Sequence, residues 1–215
     1  MRWFNRHSSY PDFYRDYLEA FKKNQPDLDN TRFVVFDTET TGLDPKSDRI
    51  LSIGTVGIKN FKINVSDNYE CYIEQSHFNA STVEIHGILK YGSIIKTQEH
   101  LAIEQFIDHI GNAVLVAHHA AFDVAMINEA LSRMQLPKLK NKVIDTGALY
   151  RKTKYIKDHK PHSLDSLCDE FNIVKHDRHT ASGDAFLTAL IFLKVSALIR
   201  KKKKKLSLRD LIGWF

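Results

Sequence analysis

Val34, Val35 and Phe36 run directly into Asp37, Thr38 and Glu39. The segment RFVVFDTE, residues 32–39, is β-branched and aromatic, which predicts a buried strand. Asp37 and Glu39 stand two apart, so on a strand they share one face. Two carboxylates converging on one spot repel unless a proton or a cation lies between them. A hard divalent cation with oxygen ligands answers that crowding, and Mg²⁺ held by few carboxylates is the usual case. The plainer reading is a strand that ends in an exposed acidic turn.

Around this strand the chain alternates elements. RILSIGTVGIKN (49–60) predicts a second strand, and NYECYIEQ (68–75) a third that begins as early as Phe61. A helical stretch then holds Leu101, Phe106, Ile107 and Ile110. AVLVAH (113–118) and KVIDT (142–146) are short strands on either side of a helix over 122–134. SLDSLCDEF (163–171) and DAFLTALIFLKVSALI (184–199) are helical. Three meandering strands followed by strands separated by helices imply an α/β fold, a mixed five-stranded sheet covered by helices on its faces.

The flanks differ from this middle. Residues 12–23 form a short amphipathic pattern after Pro11, with Phe13, Tyr17, Leu18 and Phe21 on one stripe. A polar linker, 24–30, separates it from the domain expected over 31–199. Residues 200–205 are RKKKKK, and the rest of the tail to 215 is rich in apolar side chains. The chain carries +5 overall, so without that +6 run the remainder is nearly neutral. The basic balance therefore says nothing about a basic face on the central domain. The run either meets nucleic-acid phosphates or is a solvated tail. The apolar residues after it dock on the domain or on a partner.

Several classes drop out. Two cysteines, Cys71 and Cys168, build no disulfide framework, and a reducing, cytoplasmic setting is expected. The opening residues contain no apolar run of signal-peptide length. The most apolar stretch, 185–199, falls short of the roughly 20 residues a bilayer span takes, so a buried helix and no membrane contact are expected.

Further acids accompany the first pair. Asp123 follows the strand AVLVAH and opens a helix, where an acid in the first turn is also favoured by the helix dipole. Asp184 heads the long apolar helix, five residues after His179, and reads equally well as a cap. Alone, each has a bland explanation. Together, several carboxylates and one histidine are the equipment of metal-assisted phosphoryl transfer to water. Two cations about 4 Å apart clamp the attacking and leaving oxygens, and a histidine titrating near neutrality takes the proton.

Three segments carry a family resemblance. FVVFDTETTGLDP, AHHAAFDVAMI and HTASGDA resemble, in order, the three motifs of the DnaQ-like (DEDDh) 3′–5′ exonucleases, with the third in its histidine form. The similarity covers about residues 31–199 and implies a ribonuclease H-like fold. It implies that Asp37, Glu39 and Asp184 hold one cation, that Asp37 also touches a second, and that Asp123 completes the acidic set. His179 is then the general base. Thr38, Thr40, Thr41, Gly42 and Leu43 would lie at the terminal nucleotide, as would His86, His118 and Phe122. The cofactors implied are two divalent cations, Mg²⁺ or Mn²⁺. Members commonly carry Asn where this chain has His119, and His118, His119, His176 and His179 also admit a zinc reading.

The function expected is metal-dependent 3′–5′ hydrolysis of single-stranded DNA ends, releasing nucleoside 5′-monophosphates. An RNA exonuclease of the same superfamily is one alternative. The other is a polymerase- or replisome-binding module whose tail matters more than its catalysis.

Overall fold

The computed structural model describes residues 10–22, 27–77, 79–153, 162–203 and 205–212. Five strands form one sheet in the order β3-β2-β1-β4-β5. They are β1 (Phe33–Thr40), β2 (Ile50–Lys59), β3 (Lys62–Tyr72), β4 (Val114–Ala117) and β5 (Val143–Asp145). The first three are joined antiparallel, while β4 runs parallel to both β1 and β5. The mixed five-stranded sheet expected from the sequence is therefore present. The helices are α1 (Asp12–Ala20), α2 (Ala80–His86), α3 (Glu99–Ile110), α4 (Ala120–Arg133), α5 (Thr146–Arg151), α6 (Leu164–Glu170), α7 (Ala181–Lys202) and α8 (Leu208–Leu211).

The central strand separates two cores by its alternation. Phe33 and Val35 join the apolar cluster built with α7, and Val34 and Phe36 join the one built with α3 and α4. Both sides of β1 are thus sealed by helices, which is why its first four residues are all apolar and buried. The same alternation carries on past Phe36. Asp37 and Glu39 continue toward α7, and Thr38 toward α4.

α7 is apolar on nearly every side, and twelve of its residues are buried. It is the one helix among the described residues long and apolar enough to cross a membrane, and it lies in the core on β1 and β2. It starts at Ala181, three residues before the expected start, because the Thr180 hydroxyl caps it by accepting from the Gly183 N–H. It runs on to Lys202 because basic residues suit a helix C-terminus.

Other departures have local causes. β3 begins at Lys62 and ends at Tyr72, not Gln75, because only Ile73 beyond it pairs, in one isolated bridge to Thr97. As an edge strand with little burial it carries no apolar alternation to mark its ends. α2 and α5 escape periodicity at seven and six residues. Their signals are caps: Asn79 and Gly87 bracket α2, and Asp145 opens α5.

The described parts of both flanks pack on these cores. Tyr14 and Tyr17 of α1 are buried, and their hydroxyls bond the Pro137 carbonyl at 2.8 Å and Asn141 Oδ1 at 2.6 Å. Leu206 and Leu211 join the α7 cluster, and Lys152 Nζ donates to the Ile212 carbonyl at 2.9 Å. Half of the basic run has partners on the protein: Arg200 pairs Asp29 at 2.6 Å and covers the Phe61 ring, Lys202 donates to the Thr153 carbonyl, and Lys203 pairs Asp210. Trp214 and Phe215 lie outside the described residues.

Candidate active site

Gly54 sets the geometry. It faces Asp37 in the β1–β2 ladder. A Cβ at Gly54 would stand 2.2 Å from the Ser182 nitrogen and 2.3 Å from the Ala181 carbonyl carbon. The first turn of α7 therefore lies directly on the bare strand backbone. That contact brings Asp184 down beside the two acids of β1. One oxygen each from Asp37, Glu39 and Asp184 lies within 4.8 Å of the others, the one such metal-sized group among the described residues. No histidine joins it, so the zinc reading of His118, His119, His176 and His179 has no cluster behind it.

Asp123 stands next to this trio and is fixed separately. It is buried in the first turn of α4 and accepts from both the Thr38 N–H, at 3.0 Å, and the Thr38 hydroxyl, at 2.7 Å. Asp123 thus keeps its favourable place in the first turn of α4 and adds two bonds across to β1. Burial, then Asp123, Asp184 and Glu39, push Asp37 well above the carboxylate range. Burial, then Asp184 and Asp123, push Glu39 up to about 7. Burial also pushes Asp123 up to about 7 against the lowering effect of its Thr38 bonds. Asp184 Oδ1 is buried with no hydrogen-bond partner, while Oδ2 accepts from Arg178. Crowded acids with an orphaned oxygen are the donor set of a hard cation, so these residues fit a divalent metal.

A cleft of about 530 Å³ opens over the cluster. Of the residues singled out in the sequence, Asp37, Thr38, Leu43, His118, Phe122, Asp123 and Asp184 line it. Leu43 is 84% exposed, an apolar side chain held out at the rim. His118 is buried, with Nδ1 bonded to the Thr146 hydroxyl at 2.9 Å and Nε2 unpartnered. Burial, with His119 beside it, lowers it to about 4, so it stays neutral at ordinary pH. His119 is exposed at φ 56°, a left-handed position that Asn and His both tolerate. The exchange of Asn for His here thus suits the backbone.

Other expected residues lie outside the cleft lining. Thr40 and Thr41 are buried and serve the loop: Thr40 donates to the Gly42 carbonyl at 2.7 Å, and Thr41 donates to Asp48 at 2.9 Å. Gly42 leaves room for that same Asp48, whose carboxylate lies 2.5 Å from where a Cβ would stand and would have to shift to admit one. His86 ends α2, and its Nδ1 accepts from the Ile88 N–H at 3.0 Å. That bond puts the ring proton on Nε2, a buried donor with no partner. His179 is exposed at φ 62° on the turn before α7.

The sequence reading passed over three participants. Arg178 lines the cleft and bonds Asp184. Asp165, on α6, holds Arg178 at 2.8 and 3.1 Å. Asp145 accepts from the Ala120 N–H at 2.8 Å, which ties the start of α4 to the end of β5. The available signals were a basic residue abutting His179 and an acid ending the strand VID.

Comparison with known proteins agrees with this geometry. The family model for exonucleases, RNase_T, matches residues 34–192. The PolC-type DNA polymerase III of Listeria innocua is 34% identical over 180 residues, which is 82% of this chain and 12% of that protein. Its counterpart in Halalkalibacterium halodurans is 35% identical over 172 residues, again 12% of its length. The chain spans a small part of these relatives. Among solved structures, exonuclease X in complex with 5′ overhanging duplex DNA superposes with a TM-score of 0.63 at 20% identity, covering 84% of this chain and 97% of that one. Escherichia coli exonuclease I in complex with a dT13 oligonucleotide gives 0.68 at 15%, covering 80% and 42%. These likenesses establish the ribonuclease H-like fold.

Proposed function

The chain belongs to the exonuclease family, and from there we propose that it is a metal-dependent 3′–5′ exonuclease that trims single-stranded DNA ends to nucleoside 5′-monophosphates. The observation that carries this reading is the trio Asp37, Glu39 and Asp184, gathered within 4.8 Å beneath an open cleft. Asp37, Glu39 and Asp184 would hold divalent cations, Mg²⁺ or Mn²⁺, with Asp123 completing the set. Such cations supply Lewis acidity at the scissile phosphate and make water a better nucleophile near neutral pH.

The protein's own groups do the rest. Thr38 holds Asp123 in one orientation through two hydrogen bonds. An imidazole nitrogen of His179 accepts the proton of the attacking water, and its exposure lets solvent carry that proton away. Leu43 and Phe122 offer apolar faces to the terminal base, contacts that tolerate any sequence. Neutral His118 contributes a hydrogen bond to the nucleotide, not a charge. His86 and the 40–42 loop act from behind: Asn79, which opens the helix that His86 ends, donates to the Thr41 carbonyl at 3.0 Å and so fixes the loop that presents Leu43 to the terminal nucleotide. DNA is preferred to RNA as substrate because the relatives named above are DNA polymerases. Association with a polymerase or the replisome is the partner reading these relatives support, though Leu206 and Leu211 of the tail are already spent on this domain.

A time course on 5′-labelled DNA and RNA of one sequence, with Mg²⁺, Mn²⁺ or EDTA, tests this beside Asp184→Ala. The expected result is a metal-dependent ladder shrinking from the 3′ end, faster on DNA and absent in the variant. Release of the label as a mononucleotide with no intermediate ladder, or equal loss in EDTA, would refute the reading. Faster decay of RNA would assign the enzyme to RNA.

A further inference from the structure

Among the described residues, the cation paired with the carboxylate cluster is Arg178. Its guanidinium is divided between two acids. Nε and Nη2 donate to the two oxygens of Asp165, at 2.8 and 3.1 Å, a fork meeting a fork. Nη1 reaches the other way and donates to Asp184 Oδ2. Asp165 is 47% exposed, whereas Arg178 and Asp184 are 19% and 10% exposed. The anchor therefore lies toward solvent, and the third arm reaches inward over the cluster.

We propose that Arg178 is the resident counter-cation of the site: tethered by Asp165, it covers Asp184 Oδ2 in the metal-free protein and gives up that oxygen when a divalent cation enters. The inference rests on the reading of Asp37, Glu39 and Asp184 as cation ligands. Its physical basis is charge balance. Buried acids this close repel one another, and both Asp37 and Glu39 feel Arg178 as a lowering influence. Arginine suits the task because it never loses its charge. The Asp165 fork makes the exchange inexpensive, since only one of three hydrogen bonds is surrendered and the guanidinium stays paired. A lysine could not hold both acids in this geometry.

The test is a Mg²⁺ titration of the ¹⁵N-labelled full chain. It follows the Arg178 guanidinium signal, assigned with Arg178→Lys, together with the Thr38 amide that reports on Asp123. Both are expected to shift and to saturate at the same Mg²⁺ concentration. In parallel, Mn²⁺ binding is measured by EPR. Arg178→Gln should bind about tenfold more tightly than wild type, the scale of one direct charge coupling, and Arg178→Lys should fall between. A guanidinium signal that stays fixed while Thr38 moves to saturation would overturn the proposal, as would Mn²⁺ affinity unchanged in Arg178→Gln. No saturable response at Thr38 or in the EPR of the wild type would instead overturn the cation site, and this proposal with it.

Discussion

Gly54 faces Asp37 across the β1–β2 ladder and is also the surface on which the first turn of α7 rests. One side-chain-free position therefore fixes the distance between acids that lie far apart along the chain. A methyl group there has no flexible neighbour to push aside, because it meets backbone atoms of Ser182 and Ala181. Gly54→Ala should cost about 1–3 kcal/mol, the usual scale of overpacking, and should weaken Mn²⁺ binding by lifting Asp184 away from Asp37. Urea unfolding and EPR titration on one preparation check both effects. Wild-type metal affinity in a destabilised variant would separate the packing from the site.

The pH dependence of stability should have an unusual sign. Glu39 and Asp123 are pushed up to about 7, chiefly by burial, and Asp37 is raised as well. In the unfolded chain such acids titrate near about 4. Between about pH 4 and 7 the folded protein therefore keeps protons that the unfolded chain has released, and its stability falls as pH rises through that window. Each group contributes a slope of up to about 1.4 kcal/mol per pH unit. Urea midpoints in EDTA should drop from pH 5 to pH 8, and saturating Mg²⁺ should remove the drop. A flat profile in EDTA would mean that the acids do not repel as their burial implies.

Asp37→Asn should separate stability from activity. The amide keeps the shape and removes a buried charge, so the metal-free variant should melt higher than wild type at pH 8, while turnover on DNA falls by at least about a hundredfold, the scale of losing one charge-stabilising group. Calorimetry in EDTA and the end-labelled assay read the two quantities. A lower melting temperature would show that the charge is compensated.

Thr38→Val tests the lock on Asp123. Valine preserves the β-branched shape and the backbone N–H bond but deletes the hydroxyl donor at 2.7 Å. Losing a hydrogen bond to a charged group costs roughly 1.5–3 kcal/mol. A tenfold or greater fall in kcat with an intact fold is expected, read by single-turnover kinetics. Unchanged kinetics would mean that the backbone bond alone orients Asp123.

Leu211→Ala probes the tail. Leu211 is 1% exposed in the α7 cluster, so removing its side chain should destabilise the protein by about 2–4 kcal/mol. Thermal unfolding checks this. A neutral substitution would reopen the tail as a surface held free for a partner.

The carboxylates were legible because their type, spacing and strand context point the same way. Asp37 and Glu39 alternate on β1 just where its apolar residues stop, and Asp184 lies in the first turn of the most apolar helix. What the sequence hid depends on distance across the fold. Gly54 looks like any strand glycine until α7 is laid on it. Arg178 sits beside His179 in the chain, yet its bonds go to Asp165 and Asp184. Asp123 read as a cap because the Thr38 donors that claim it belong to another element. Arg200 and Lys202 read as part of a basic run open to nucleic acid or solvent, since their partners, Asp29 and the Thr153 carbonyl, lie far away along the chain.

The rest of α7 on Gly54 also sets the moment at which the site comes into being. During synthesis Asp37 leaves the ribosome before Asp184, and until α7 docks, one face of the sheet lacks its main cover. A nascent chain thus holds no assembled acid trio. The event that closes the core is therefore also the event that completes the trio, so folding and assembly of the acids are one step.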